Sequence, residues 1–253
     1  ADSSISFDNV TFTYDGAARP ALMNVRFHLP QGAAYALVGP SGGGKSTIAK
    51  LIPRFFDVQE GAVLVGGQDV RSIPAAELME QISFVFQEVH LFKKSIRDNI
   101  RAARPNATEE EILQAAHLAQ CGDILAKIPG GLDAVIGAKG VYLSGGEMQR
   151  IALARAILKD APIVVLDEAS SFADPENEVK IQKAFEALMK GKTVLMIAHR
   201  LSTVRRMDRI LVIKKGVVVE EGKHDELIEK GGVYASMWEE YQSAAQWKVG
   251  GEA

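Results

Sequence analysis

At 253 residues, nearly half of them apolar, the chain is long enough for one large α/β domain or two small ones with a sizeable core. Its charges almost cancel, to a net of −3, which excludes a general nucleic-acid binder because such proteins are basic. No apolar run approaches the roughly 18 residues of a membrane span, and the single cysteine, Cys121, excludes an internal disulfide and reads as a buried, inert thiol in a reducing compartment.

Ile5–Phe12 (ISFDNVTF) and Leu22–Leu29 (LMNVRFHL) alternate apolar and polar residues and predict half-exposed antiparallel strands. Residues 33–39 (AAYALVG) form a more continuous apolar run that feeds a glycine loop, and 45–52 (KSTIAKLI) has helical spacing. Residues 61–70 (GAVLVGGQDV) predict a short strand with a Gly-Gly turn, and 82–87 (ISFVFQ) another strand. From 95 to 125 the pattern is helical, and Thr108 with Glu111 three residues on forms a capping box. Then 144–158 (helix), 161–169 (APIVVLDEA, buried strand), 176–189 (helix) and 192–199 (KTVLMIAH, strand) alternate, as in a parallel sheet covered by helices. Residues 209–222 predict a hairpin turning at Lys215-Gly216, and two helices follow, 224–231 and 233–246.

The fold expected is therefore α/β: a mostly parallel sheet around a phosphate loop, an N-terminal antiparallel β subdomain, and a helical subdomain over 95–157. One domain of 1–253 is expected, with C-terminal helices over 223–245. The start at Ala1, without a Met or a signal peptide, leads to the expectation of a piece of something longer.

Gly39-Pro40-Ser41-Gly42-Gly43-Gly44-Lys45-Ser46-Thr47 fits G-x-x-x-x-G-K-[ST] between a strand and a helix. Glycines let backbone N–H groups approach phosphates, Lys45 reaches the β/γ-phosphates, and the Ser46 hydroxyl binds Mg²⁺. A buried strand ends in Asp167 and Glu168: the first is placed to hold Mg²⁺, the second to polarise an attacking water. His199 ends another strand and is placed to hydrogen-bond a γ-phosphate; His28, His90, His117 and His224 read as structural. Gln87 ends residues 82–87 in the same topological position and offers its carbonyl to Mg²⁺ or orients water. Tyr14, in FTYDG, reads equally as a base-stacking aromatic and as a turn tyrosine. Finally, Leu143-Ser144-Gly145-Gly146-Glu147 opens a helix with a serine and two glycines, a second place where backbone N–H groups and a helix dipole favour an anion.

In this order and spacing the motifs resemble the nucleotide-binding domain of ATP-binding-cassette (ABC) transporters over essentially the whole chain. The resemblance implies an Mg²⁺-dependent ATPase in which Tyr14 stacks on the base. It also explains the second anion site: the signature Leu143–Glu147 covers the ATP on the phosphate loop of a second such domain, head to tail, with Ser144 and Gly146 at the γ-phosphate. Asp174 then belongs to a loop that crosses between the two domains.

FQEVHLFKKSIRDNI (86–100), IAHRLSTV (197–204) and the tail from Gly222 to Tyr241 are similar to exporter cassettes in particular. That likeness implies a transmembrane domain fused N-terminally, a place on the cytoplasmic side of the membrane, and a membrane contact near the Gln87 loop and the helical block. No nucleic-acid partner is expected. An importer subunit shares the chemistry, and a non-transport cassette is the other alternative. The chain departs from common exporters in having Gly43 for Ser, Glu147 for Gln, Phe172-Ala173-Asp174 for Ala-Leu-Asp, and Gly137-Ala138-Lys139-Gly140 for Gly-Glu-Arg-Gly.

Overall fold

The computed structural model describes residues 1–86, 88–168 and 174–250, without the side chains of 248–250. In chain order the elements begin β1 (Ile5–Phe12), β2 (Leu22–Leu29), β3 (Ala34–Val38), α1 (Lys45–Leu51), β4 (Glu60–Val65), β5 (Gln68–Asp69), α2 (Ala75–Glu80), β6 (Ile82–Val85), α3 (Ile96–Arg101), α4 (Glu109–Leu118) and α5 (Gly122–Lys127). They continue with α6 (Gly145–Lys159), β7 (Ile163–Asp167), α7 (Pro175–Met189), β8 (Thr193–Ile197), α8 (Leu201–Val204), β9 (Arg209–Lys214), β10 (Val217–Gly222), α9 (His224–Lys230) and α10 (Val233–Gly250). They fall into two compact units: Ala1–Glu80 with Val165–Glu168 and Thr193–Ala253, and Gln81–Val164 with Ala169–Lys192.

The first unit holds an antiparallel sheet of order β2-β1-β4-β5. The alternation in β1 and β2 buries Ile5, Phe7, Val10, Leu22, Val25 and Leu29 on one face, where Phe7 stacks on Phe27 at 4.7 Å. The same unit holds strands in the order β10-β9-β3-β8, with residues 165–167 of β7 beside β8. β3 runs parallel to both β8 and β9, and its residues Tyr35 to Val38 are buried, which is why this stretch reads as a continuous apolar run. The β9–β10 hairpin turns where expected: Lys215 and Gly216 both take positive φ (51° and 75°), the geometry of a tight type I′ turn.

The second unit is mostly helical. α6 packs against α3, α4 and α7, and α4 opens with the expected capping box, Thr108 accepting from Glu111 N while Glu111 accepts from Thr108 N. Cys121 is fully buried and burial pushes its thiol up to about 12, so it stays protonated and inert. Two short helices are additions to the sequence reading. The signal for α2 is Pro74 at its start; α8 is a four-residue turn with no periodicity to detect.

Candidate active site

Parallel pairing fixes the first unit's crevice. Ala198 N donates to Leu37 O (3.0 Å) and Glu168 N to Ile197 O (2.9 Å), so the carboxyl ends of β3, β8 and β7 are brought level. The residues that follow these strands are the phosphate loop, His199, and Asp167-Glu168. This is the crevice in which open α/β sheets bind ligands.

The phosphate loop is shaped by approaches that only glycine allows. A Cβ on Gly39 (φ +144°) would lie 2.0 Å from Ile213 O, and one on Gly44 (φ +110°) 2.7 Å from Leu22 Cδ2. Lys45, the first residue of α1, donates from Nζ to Gly39 O at 2.5 Å. Burial pulls its ammonium below the usual lysine range, opposed by the negative charge of Asp167. Ser46 is exposed, whereas Thr47 is buried and its hydroxyl meets Tyr14 OH at 2.8 Å. Tyr14 stands edge-on to Phe12 and Phe56, so its ring is held by an aromatic cluster and its hydroxyl by the loop itself.

His199 Nε2 lies 2.8 Å from Asp167 Oδ1. A carboxylate only accepts, so Nε2 carries the proton and donates. Glu168 is 1% exposed, and both carboxylate oxygens are occupied: Oε1 accepts from Arg200 N and Oε2 from Thr203 Oγ1, each at 2.9 Å. Burial pushes its carboxyl above the usual range, and these two donors oppose the shift. Glu168 turns toward residues 200–203 because a buried carboxylate needs donors, and those are the donors at hand. Arg200 and Thr203 were missed by sequence reasoning.

In the second unit Ser144 caps α6. Its Oγ accepts from Glu147 N (3.2 Å), its N donates to Glu147 Oε1 (3.0 Å), and Glu147 Oε2 pairs with Lys127 Nζ at 2.6 Å. Ser144 and Gly145 are exposed, and Gly146 is buried against Asn177, to which a Cβ there would come within 3.2 Å. Asn177 donates to Asp174 Oδ2 (3.0 Å) and accepts from Arg150 Nη2 (2.8 Å). Arg150 is 1% exposed and also donates to both oxygens of Asp123 and to Gln120 O. Burial would raise the Asp123 carboxyl, but Arg150 and Lys180 outweigh it and hold it at about 2. Asp174 also caps α7, accepting from Glu176 N. Gln87, Phe172 and Ala173 lie outside the described residues.

A family model described as ABC transporter matches residues 22–171. The chain belongs to the ABC transporter family. Over 238 residues, 94% of this ABC chain, it is 50% identical to the ATP-dependent lipid A-core flippase of Escherichia coli (strain K12), and equally to that of Shigella flexneri. It is also similar to a bacterial Atm1-family ABC exporter solved with ATP bound, with a TM-score of 0.87, 40% identity and 94% of the chain covered. It spans 41% of the flippases' length and 42% of that exporter chain.

Within this ABC chain the departures noted above have physical readings. At Gly43 a Cβ would sit 3.0 Å from Ile213 O and from Pro40 O, so the loop is closed too tightly here for an easy Ser. Glu147 in place of Gln supplies a carboxylate for the capping box and for Lys127 at once. Mg²⁺ characteristically takes one or two carboxylates and fills its octahedron with water and phosphate oxygens. An exposed Ser46 hydroxyl and a strand-end Asp167 fit that donor set. Among the described residues no cluster of three or more His, Cys, Asp or Glu forms a closed metal cage.

Proposed function

We propose that the chain is the ATP-binding and ATP-hydrolysing motor domain of an ABC exporter, working as a pair of such domains on the cytoplasmic side of a membrane, beneath a transmembrane domain fused N-terminally. The observation that carries this is the splitting of two anion sites between two folding units: the phosphate loop with Asp167, Glu168 and His199 in one, the capped α6 N-terminus in the other. The similarity to exporters more than twice its length supports the fused membrane domain. Among the described residues no helix is long and apolar enough to cross a membrane.

In this reading Tyr14 offers its ring to the base, and the backbone amides of Gly42, Gly43 and Gly44 face the phosphates beside Ser41 and Gly39. The Lys45 ammonium leaves Gly39 O for the phosphate oxygens, a short exchange for a desolvated cation. Ser46, Asp167 and Gln87 would hold Mg²⁺, which supplies charge neutralisation to the phosphates when bound. His199 moves its Nε2–H from Asp167 to the γ-phosphate. Glu168 accepts the proton of the attacking water. The Ser144 hydroxyl and the amides of Gly145 and Gly146 serve the phosphate held by the second domain, where a helix N-terminus stabilises negative charge. Two half-sites of this kind make ATP the adhesive of the pair.

Glu168→Gln tests the role of the carboxylate. Turnover should fall by at least about a hundredfold, the scale of one general base, with ATP binding retained. Turnover equal to wild type would remove Glu168 from that role.

A further inference from the structure

We propose that Thr203 is a positioning residue that parks Glu168 in the resting site and sets how readily it is released for catalysis; this rests on the reading of Glu168 as the base. A base must come within about 2.6–3.2 Å of the proton it takes. Glu168 is 1% exposed and both its oxygens are engaged, by Arg200 N and by Thr203 Oγ1. At 1% exposure the carboxylate is closed off from water in the crevice, and each oxygen already holds one donor. Turnover therefore requires the side chain to leave these two donors.

The two donors differ in what they do next. The Thr203 hydroxyl has one proton and two acceptors at 2.9 Å, Glu168 Oε2 and Arg200 O. While Glu168 is parked and ionised, the proton goes to the charge, where the bond is stronger. Once Glu168 leaves, the same hydroxyl turns to Arg200 O, so release leaves no buried hydroxyl without a partner. Thr203 is thus built for both states. It weights the parked state by the difference between a charged and a neutral acceptor, and it is the only side chain that donates to Glu168 among the described residues. His199 is tied to Asp167 in the same arrangement, so the base and the γ-phosphate donor of the proposed reaction are both held by hydrogen bonds within one unit.

Steady-state ATP turnover of Thr203→Val, Thr203→Ser and Thr203→Val/Glu168→Gln tests this. Valine keeps the shape and removes the donor, so kcat at saturating Mg-ATP should rise about threefold to tenfold, the scale of one lost hydrogen bond, with KM for ATP unchanged. Serine keeps the donor and should stay within about twofold of wild type, and the double variant should be as inactive as Glu168→Gln alone. A folded Thr203→Val with kcat equal to or below wild type overturns the proposal while leaving Glu168 as base. If valine prevents folding, Thr203→Ala is read by the same criteria. Wild-type turnover in Glu168→Gln would instead overturn the reading beneath it.

Discussion

The two anion sites proposed for the chain are made by opposite means. The phosphate loop is a backbone construction: a Cβ would lie 2.0 Å from Ile213 O at Gly39 and 2.7 Å from Leu22 Cδ2 at Gly44, and one lysine crosses the loop to a carbonyl. The signature is a helix N-terminus held by side chains: Ser144 and Glu147 cap each other, Lys127 neutralises the box, and Asn177 and Arg150 brace it from below. The first is a tightly turned backbone with little tolerance for a side chain at Gly39. The second presents the softer end of a helix dipole, adjustable through its braces. In the proposed pair that asymmetry would let one half hold the nucleotide firmly while the other engages and lets go.

Substitution should expose the contrast in graded form. Gly39→Ala places a Cβ on Ile213 O in a backbone region that L residues avoid. It should destabilise the protein by roughly 3 kcal/mol or more and abolish ATP binding by titration calorimetry. Retained binding would show that the loop relaxes more easily than its geometry says. Arg150→Met should cost about 2 kcal/mol by stripping a charged donor from Asn177 and from the half-exposed Asp123, with ATP affinity unchanged.

The Arg150 variant also carries a pH signature. Asp123 titrates at about 2 in the folded chain against 3.8 as its unperturbed value. Its stabilisation is therefore present above pH 3.8 and lost as pH falls toward 2. Arg150→Met should flatten that acid limb in urea melts taken across the window. An unchanged limb would mean the pair contributes nothing to linkage. Ser144→Ala is the mildest in stability, about 1 kcal/mol for a lost cap, yet it should lower turnover at unchanged affinity for the first nucleotide. Loss of affinity instead would place Ser144 beside its own chain's phosphate loop.

The strands, the glycine loop and the Thr108 capping box were legible because each has a local cause, whereas the Ser144–Glu147 box reads in the sequence only as a helix start. Apolar runs set β3, β7 and β8, glycine spacing sets the loop, and Thr-x-x-Glu sets the cap of α4. What escaped the sequence was pairwise and long-range. Nothing local says that Glu168 turns to Thr203, 35 positions on, or that His199 spends its proton on Asp167. Arg150 reads as one more charge on a helix until Asp123 and Asn177 are seen closing around it. The helices α2 and α8 escaped because six and four residues are too few for a period.

In the proposed mechanism neither anion site completes the reaction within one molecule. Its most direct test is the molar mass of Glu168→Gln by light scattering, with and without Mg-ATP, alone and combined with Ser144→Arg. The mass should be twice the single-chain mass with Mg-ATP and the single-chain mass without it, with no dimer when Ser144 is replaced. Single-chain mass at saturating Mg-ATP, together with wild-type turnover independent of protein concentration, would contradict it.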